Sequence, residues 1–193
     1  AVAAEASRRG AAVTLVAGPS PVEPPTVAEL VRVRSAEEMH AAVLARADAV
    51  EVAVLAAAVA DYMPVERAAQ KMVKGEGGLT LKLKKTPDIL ADLGARRRAA
   101  GRGPILVGFA AETEEVVARA RVKRERKGAD LMVANDVSRA DAGFDVDTNE
   151  VTIVDAETTD RLPLQSKVRV ASAILDRVEQ LLTKAASGKA ENP

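Results

Sequence analysis

The sequence contains no cysteine, no tryptophan, one histidine, one tyrosine and two phenylalanines. Without cysteine there can be no disulfide, no thiolate metal site and no cysteine nucleophile. A lone histidine, His40, leaves a histidine-based metal site or a serine triad without its parts. Charge of one sign is also missing, since 28 basic residues balance 28 acidic ones. With so few aromatics, the chain has neither the basic field nor the stacking surfaces that nucleic-acid binders use. No apolar run approaches the roughly 18 residues that a membrane span needs. No signal-peptide pattern is visible, so the expected compartment is the cytoplasm.

What is present is small and aliphatic. Of 193 residues, 48% are hydrophobic, mostly Ala, Val, Leu and Ile. That is enough for one domain with a sizeable core, and small core residues suit helices packed closely on a sheet. The expected domain spans 1–184, with 61–85 as an arm or flap and 185–193 as a frayed tail.

Short apolar runs and amphipathic stretches alternate along the chain. Residues 1–9 read as a helix stopped by Gly10, and 12–17 (AVTLVA) as a buried strand. Pro19, Pro21, Pro24 and Pro25 stiffen the loop to a short strand at 29–33. Ser35 with Glu38 makes a capping box for the next helix, and 52–57 is a buried strand. The piece 79–84 (LTLKLK) alternates with period two, so it reads as a strand with one wet face. Thr86 and Pro87 start a helix with Pro at its first position. Strands at 105–109 and 131–134 flank a helix capped by Thr113, and a hairpin and a closing helix at 168–184 follow. This order predicts an α/β, Rossmann-like, doubly wound and mostly parallel sheet with a projecting β arm.

In such sheets ligands sit beyond the carboxyl ends of the strands. One strand end is Leu55, Ala56, Ala57, Ala58, Val59, Ala60, Asp61. Small side chains there admit a ligand close to the backbone, and Asp61 offers an acceptor for a ribose hydroxyl or a base amino group. At a second strand end, Phe109 is placed to stack on a base or to fill the core. A third presents Asn135 and Asp136. Lys123 and Lys127, four apart, share one helix face and suit a triphosphate. Lys71 and Lys74 lie in the arm, where a mobile lysine can close over phosphates. Pro87, Asp88, Ile89 and Leu90 open a helix whose free N–H groups favour an anion, though Asp88 can equally complement the dipole.

These residues, in order, resemble the bacterial phosphopantothenate–cysteine ligases, usually the C-terminal half of a bifunctional coenzyme A biosynthesis flavoprotein. The matching pieces are VTLV at 13–16 with Gly18 and Pro19, AAVADY at 57–62, Lys71 with Lys74, and KTPDIL at 85–90. GFAAET at 108–113, Lys123 with Lys127, ANDVS at 134–138, and Phe144 and Asp145 with Asn149 complete the set. The resemblance implies that CTP activates the carboxylate of 4′-phosphopantothenate as an acyl-cytidylate, which the amine of cysteine then attacks. It implies Mg²⁺ with the CTP, and FMN only in the decarboxylase half, which this chain lacks. It places Leu55, Ala56, Ala57, Asp61, Pro87, Asp88, Ile89, Leu90 and Phe109 around the nucleotide, and Lys123 and Lys127 on its phosphates. Lys71 is implied as the catalytic lysine over the site, with Ala58 and Asn135 as substrate contacts. A homodimer through the 61–85 arm is expected, its apolar side being Leu79, Leu81 and Leu83.

The family places a strand and a glycine-rich turn before the helix that opens this sequence. The expectation is therefore a fragment, weak or inactive alone. The alternatives are a non-catalytic nucleotide-binding and dimerisation module, and a Rossmann-type oxidoreductase. The latter finds no GxGxxG and no Tyr-x-x-x-Lys pair around Tyr62.

Overall fold

The computed structural model describes residues 1–66, 70, 78–112, 114–136 and 146–190. Helix α1 (Val2–Arg8) ends as glycine permits. Gly10 sits at φ +89°, its N–H bonds Ser7 O, and the Ala11 N–H bonds Ala6 O, each at 3.0 Å. This paired closure needs a left-handed residue at the turn. Strand β1 (Thr14–Ala17) pairs in parallel with β2 (Glu29–Arg32). Helix α2 (Ala36–Leu44) carries the expected box, with Ser35 Oγ accepting from Glu38 N at 3.1 Å. Glu38 reaches back one residue further than Ser35, to Arg34 N at 2.6 Å.

The main sheet holds β3 (Val52–Leu55), β6 (Ile105–Glu112), β7 (Leu131–Asp136), β8 (Thr148–Val154) and β9 (Thr159–Ser166), in that spatial order. β3, β6 and β7 run parallel, and β7, β8 and β9 antiparallel. The Rossmann-like layering is as expected, in a mixed sheet whose antiparallel half is the foreseen hairpin, its first strand one residue earlier than expected and its second longer. Helices α3 (Ile89–Ala100) and α4 (Val116–Lys127) cover one face, and α5 (Lys167–Ala190), with α1 beside it, the other. Alternation along the strands splits the core accordingly. Leu106, Met132 and Ala134 pack with Leu90, Leu93 and Ala120. Val107, Leu131 and Val133 pack with Val170, Ile174 and Val178. His40 Nε2 lies 2.8 Å from Asp92 Oδ2, which ties α2 to α3. Among the described residues no helix is long and apolar enough to cross a membrane.

Four local expectations are corrected. Pro87 is not the first helical residue: Asp88 is the N-cap of α3, its Oδ1 accepting from Ala91 N at 3.2 Å. An aspartate cap satisfies an orphan N–H, which Pro87 cannot do. Thr113 is outside the described residues, and the N-cap of α4 is Glu115, with φ +46° and no side-chain capping bond. α5 runs to Ala190, six residues past the expected end at 184. In the arm, β4 (Tyr62–Pro64) pairs antiparallel with β5 (Leu83–Lys85), not with the whole of 79–84. Period two locates a strand, but its ends depend on the partner, and β4 is only three residues long.

β1 and β3 are not hydrogen-bonded to each other in any described residue, so the small parallel sheet stands apart from the large one. Both border the same cleft.

Candidate nucleotide-binding cleft

The cleft encloses about 790 Å³, within the range of small-ligand sites. Part of this space lies between β1 and β3, since Thr14, Leu15 and Val16 form one wall and Val52, Ala53 and Val54 another. The rest opens at the carboxyl ends of β3 and β6. There the chain leaves β3 at Leu55 and passes Ala56, Ala57, Ala58 and Asp61, all of which line the cleft. Asp61 is held by its backbone: its carbonyl accepts from Thr86 N at 2.9 Å, one step beyond the β4–β5 ladder. That bond brings Asp61 beside the start of α3.

Pro87, Asp88, Ile89 and Leu90 also line the cleft. The side chains of Ile89 and Leu90 are buried in the core. What they offer a ligand is the first-turn backbone, whose N–H groups lack helical acceptors. Phe109 borders the cleft and also packs against the cluster under α5, so stacking surface and core are the same side chain.

Lys123 and Lys127 reach the cleft from the last turns of α4. Both are paired with acids. Lys123 Nζ is 2.5 Å from Glu112 Oε1, and Lys127 Nζ is 3.1 Å from Asp88 Oδ2. The first pair is an ionic contact and not an aligned hydrogen bond. Arg119 Nη1 stands 3.9 Å from the other Glu112 oxygen. Glu112 carries no role in the sequence reading. The available signal was an acid ending the apolar run 105–111, where burial requires a cation.

Asn135 is not brought to the cleft. It lies on β7 opposite Val151 of β8, and its Oδ1 accepts from Asn149 Nδ2 at 3.2 Å. Lys71 and Lys74 are outside the described residues. The described residues hold no group of three or more His, Cys, Asp or Glu fit for a metal. Two acids near the cleft, Asp88 and Glu112, are taken by lysines. Among the described residues no resident Mg²⁺ site is assembled, and no step is assigned to one.

Close packing sets the lysines' positions. A Cβ on Gly108 would meet the end of the Leu90 side chain, Cδ2, at 2.5 Å, so glycine lets Leu90 of α3 pack directly on β6. Gly94 plays the same part between α3 and α4.

The family described as DFP, the DNA/pantothenate metabolism flavoprotein C-terminal domain, matches residues 1–182. The Coenzyme A biosynthesis bifunctional protein CoaBC of Bacillus subtilis (strain 168) is 44% identical over 183 residues, covering 94% of this chain and 44% of that protein. A Cysteine/Cysteine sulfinic acid decarboxylase from an unknown prokaryotic organism is 36% identical over 184 residues, covering 94% of this chain and 50% of that protein. The crystal structure of the C-terminal domain of a Coenzyme A biosynthesis bifunctional protein CoaBC superposes with a TM-score of 0.78 at 34% identity, covering 95% of this chain and 81% of that one. The chain thus spans about half the length of the curated relatives it matches.

Proposed function

Because the chain belongs to the family of DNA/pantothenate metabolism flavoprotein C-terminal domains, we propose that it is the ligase part of a coenzyme A biosynthetic enzyme. In this reading a carboxylate oxygen of 4′-phosphopantothenate displaces pyrophosphate from the α-phosphorus of CTP. The cysteine amine then attacks the acyl carbon, and CMP leaves as the amide forms. Activation is needed because a free carboxylate has no adequate leaving group.

One observation carries the reading. The strand-end run to Asp61, the start of α3, Phe109 and the α4 lysines all line a single cleft. Asp61 is assigned to a ribose hydroxyl or a base amino group, the small Ala56, Ala57 and Ala58 to close approach of the ligand, and Lys123 and Lys127 to the phosphates. Lys71 is assigned to the developing charge during transfer. Calorimetry with CTP, ATP and NAD tests the site, and preference for NAD over CTP sinks the assignment. Asp61→Asn should weaken nucleotide binding about tenfold, the worth of one charge-assisted hydrogen bond. In the full-length enzyme, Lys71→Gln should lower turnover far more than affinity. Full turnover by that variant would remove Lys71 from the chemistry.

The unpaired edges of β1 and β3 favour a second reading for the chain on its own, a nucleotide-binding module without ligation. Pyrophosphate release that depends on added cysteine and phosphopantothenate separates the two.

The arm is assigned to a homodimer. Leu79, Leu81 and Leu83 are 68%, 59% and 54% exposed. Leu81→Asp with Leu83→Asp should convert the dimer to a monomer in sedimentation. A monomeric parent chain, or a dimer that survives both substitutions, counts against this role.

A further inference from the structure

The two lysines at the cleft share a helix face, yet their partners differ in kind. Glu112, which holds Lys123, is 5% exposed. Taking Lys123 away would leave a carboxylate out of water with, among the described residues, Arg119 at 3.9 Å as its remaining cation, and such a group is costly. Asp88, which holds Lys127, is 45% exposed. Its two oxygens divide their work: Oδ1 accepts the Ala91 N–H and caps α3, while Oδ2 faces Lys127. If Lys127 leaves, Asp88 keeps its capping bond and water replaces the ammonium. Lys127 itself is 23% exposed, so the pair is open to water on its carboxylate side only, and a pair open in this way is held less firmly than one whose carboxylate is buried.

We propose that Asp88 is a positioning residue whose Oδ2 stands in for an anionic ligand oxygen, holding Lys127 at the cleft and exchanging it for an arriving polyphosphate, while Lys123 stays on Glu112. Lys123 is then a fixed post and Lys127 an exchangeable one. Arrival of the ligand costs the Asp88–Lys127 contact but not the buried pair. The inference rests on the polyphosphate reading of the cleft.

Inorganic tripolyphosphate is the probe, titrated calorimetrically at constant ionic strength into the wild-type chain, Asp88→Asn, Lys127→Gln and the double variant. Asn keeps the helix cap. With the competing carboxylate gone, Asp88→Asn should bind about two- to fivefold more tightly, the range a partly exposed ion pair allows. The gain should vanish in the Lys127→Gln background. No gain, or a gain that persists without Lys127, overturns the exchange; the latter would make Asp88 a general repelling charge. If none of the four binds tripolyphosphate, the polyphosphate reading itself fails and the exchange falls with it. Thermal unfolding gives an independent arm. Lys123→Gln should lower Tm by roughly 5 °C or more, restored by adding Glu112→Gln, while Lys127→Gln changes it by no more than about 2 °C. Equal losses from the two lysine variants would also overturn the proposal.

Discussion

Gly94→Ala destabilises the fold by about 3 kcal/mol, although alanine is the better helix former by about 1 kcal/mol. The added Cβ would overlap Lys127 O and lie 3.0 Å from Lys127 C. Both are backbone atoms, so no rotamer change relieves the clash and α3 must move off α4. Arg97 resists that movement. Its guanidinium donates to Gly128 O at 2.8 Å and to Pro104 O at 3.0 Å, and it pairs with Asp130. The damage should reach the cleft, because the displaced carbonyl belongs to Lys127 itself. Urea denaturation of the parent and the Gly94→Ala variant measures it. A variant as stable as the parent would show that the helices separate at little cost.

Asp155→Ala is expected to cost a similar amount, about 3 kcal/mol. Asp155 follows β8 and is 6% exposed. It accepts from Glu157 N at 2.7 Å, Thr158 N at 2.6 Å, Thr158 Oγ1 at 3.0 Å and Arg177 Nε at 2.6 Å. One carboxylate thus closes the β8–β9 turn and ties it to α5. Burial pushes its pKa up, but the Thr158 amide, Arg177, the Glu157 amide and the Thr158 hydroxyl outweigh this and hold it at about 2, below its ordinary 3.8. A depressed acid stabilises the fold above its unfolded pKa, and that contribution is lost as pH falls through the folded value. About 2 kcal/mol should therefore disappear between roughly pH 4 and pH 2. The parent should exceed Asp155→Asn in stability at pH 7, and the difference should shrink across that window. A difference that is the same at pH 2 as at pH 7 would refute the linkage.

Much of the architecture was legible because local chemistry and tertiary structure agree. Ser35 and Glu38 announce α2, Gly10 stops α1, the uninterrupted apolar run at 131–134 is a strand covered on both faces, and that at 52–55 is a strand only half-buried beside the cleft. The cleft was legible as a set of strand ends, since the topology of a parallel sheet gathers them at one edge. What was not legible depends on partners distant in sequence. Pro87 and Asp88 compete for the start of α3, and the pull of Lys127 on Asp88 is invisible to a local rule. Glu115 begins α4 in a left-handed conformation that nothing in its side chain demands. The ends of β5 are set by the three residues of β4, and the pairing of Glu112 with Lys123 spans a loop and a helix. The hydrogen bond between Asn135 and Asn149 of β8 was likewise not legible, because the two lie on different strands.

The separation of β1 from β3 has a signature in amide hydrogen exchange. A strand bonded on one side only leaves every second amide without a strand acceptor. Protection along 14–17 and 52–55 should then alternate residue by residue, while 107–110 of β6, bonded to β3 or β7 on its two sides, exchanges slowly throughout. Any strand that docks between β1 and β3 would erase the alternation in both at once. The pattern therefore reports on the join between the two sheets without requiring any catalysis.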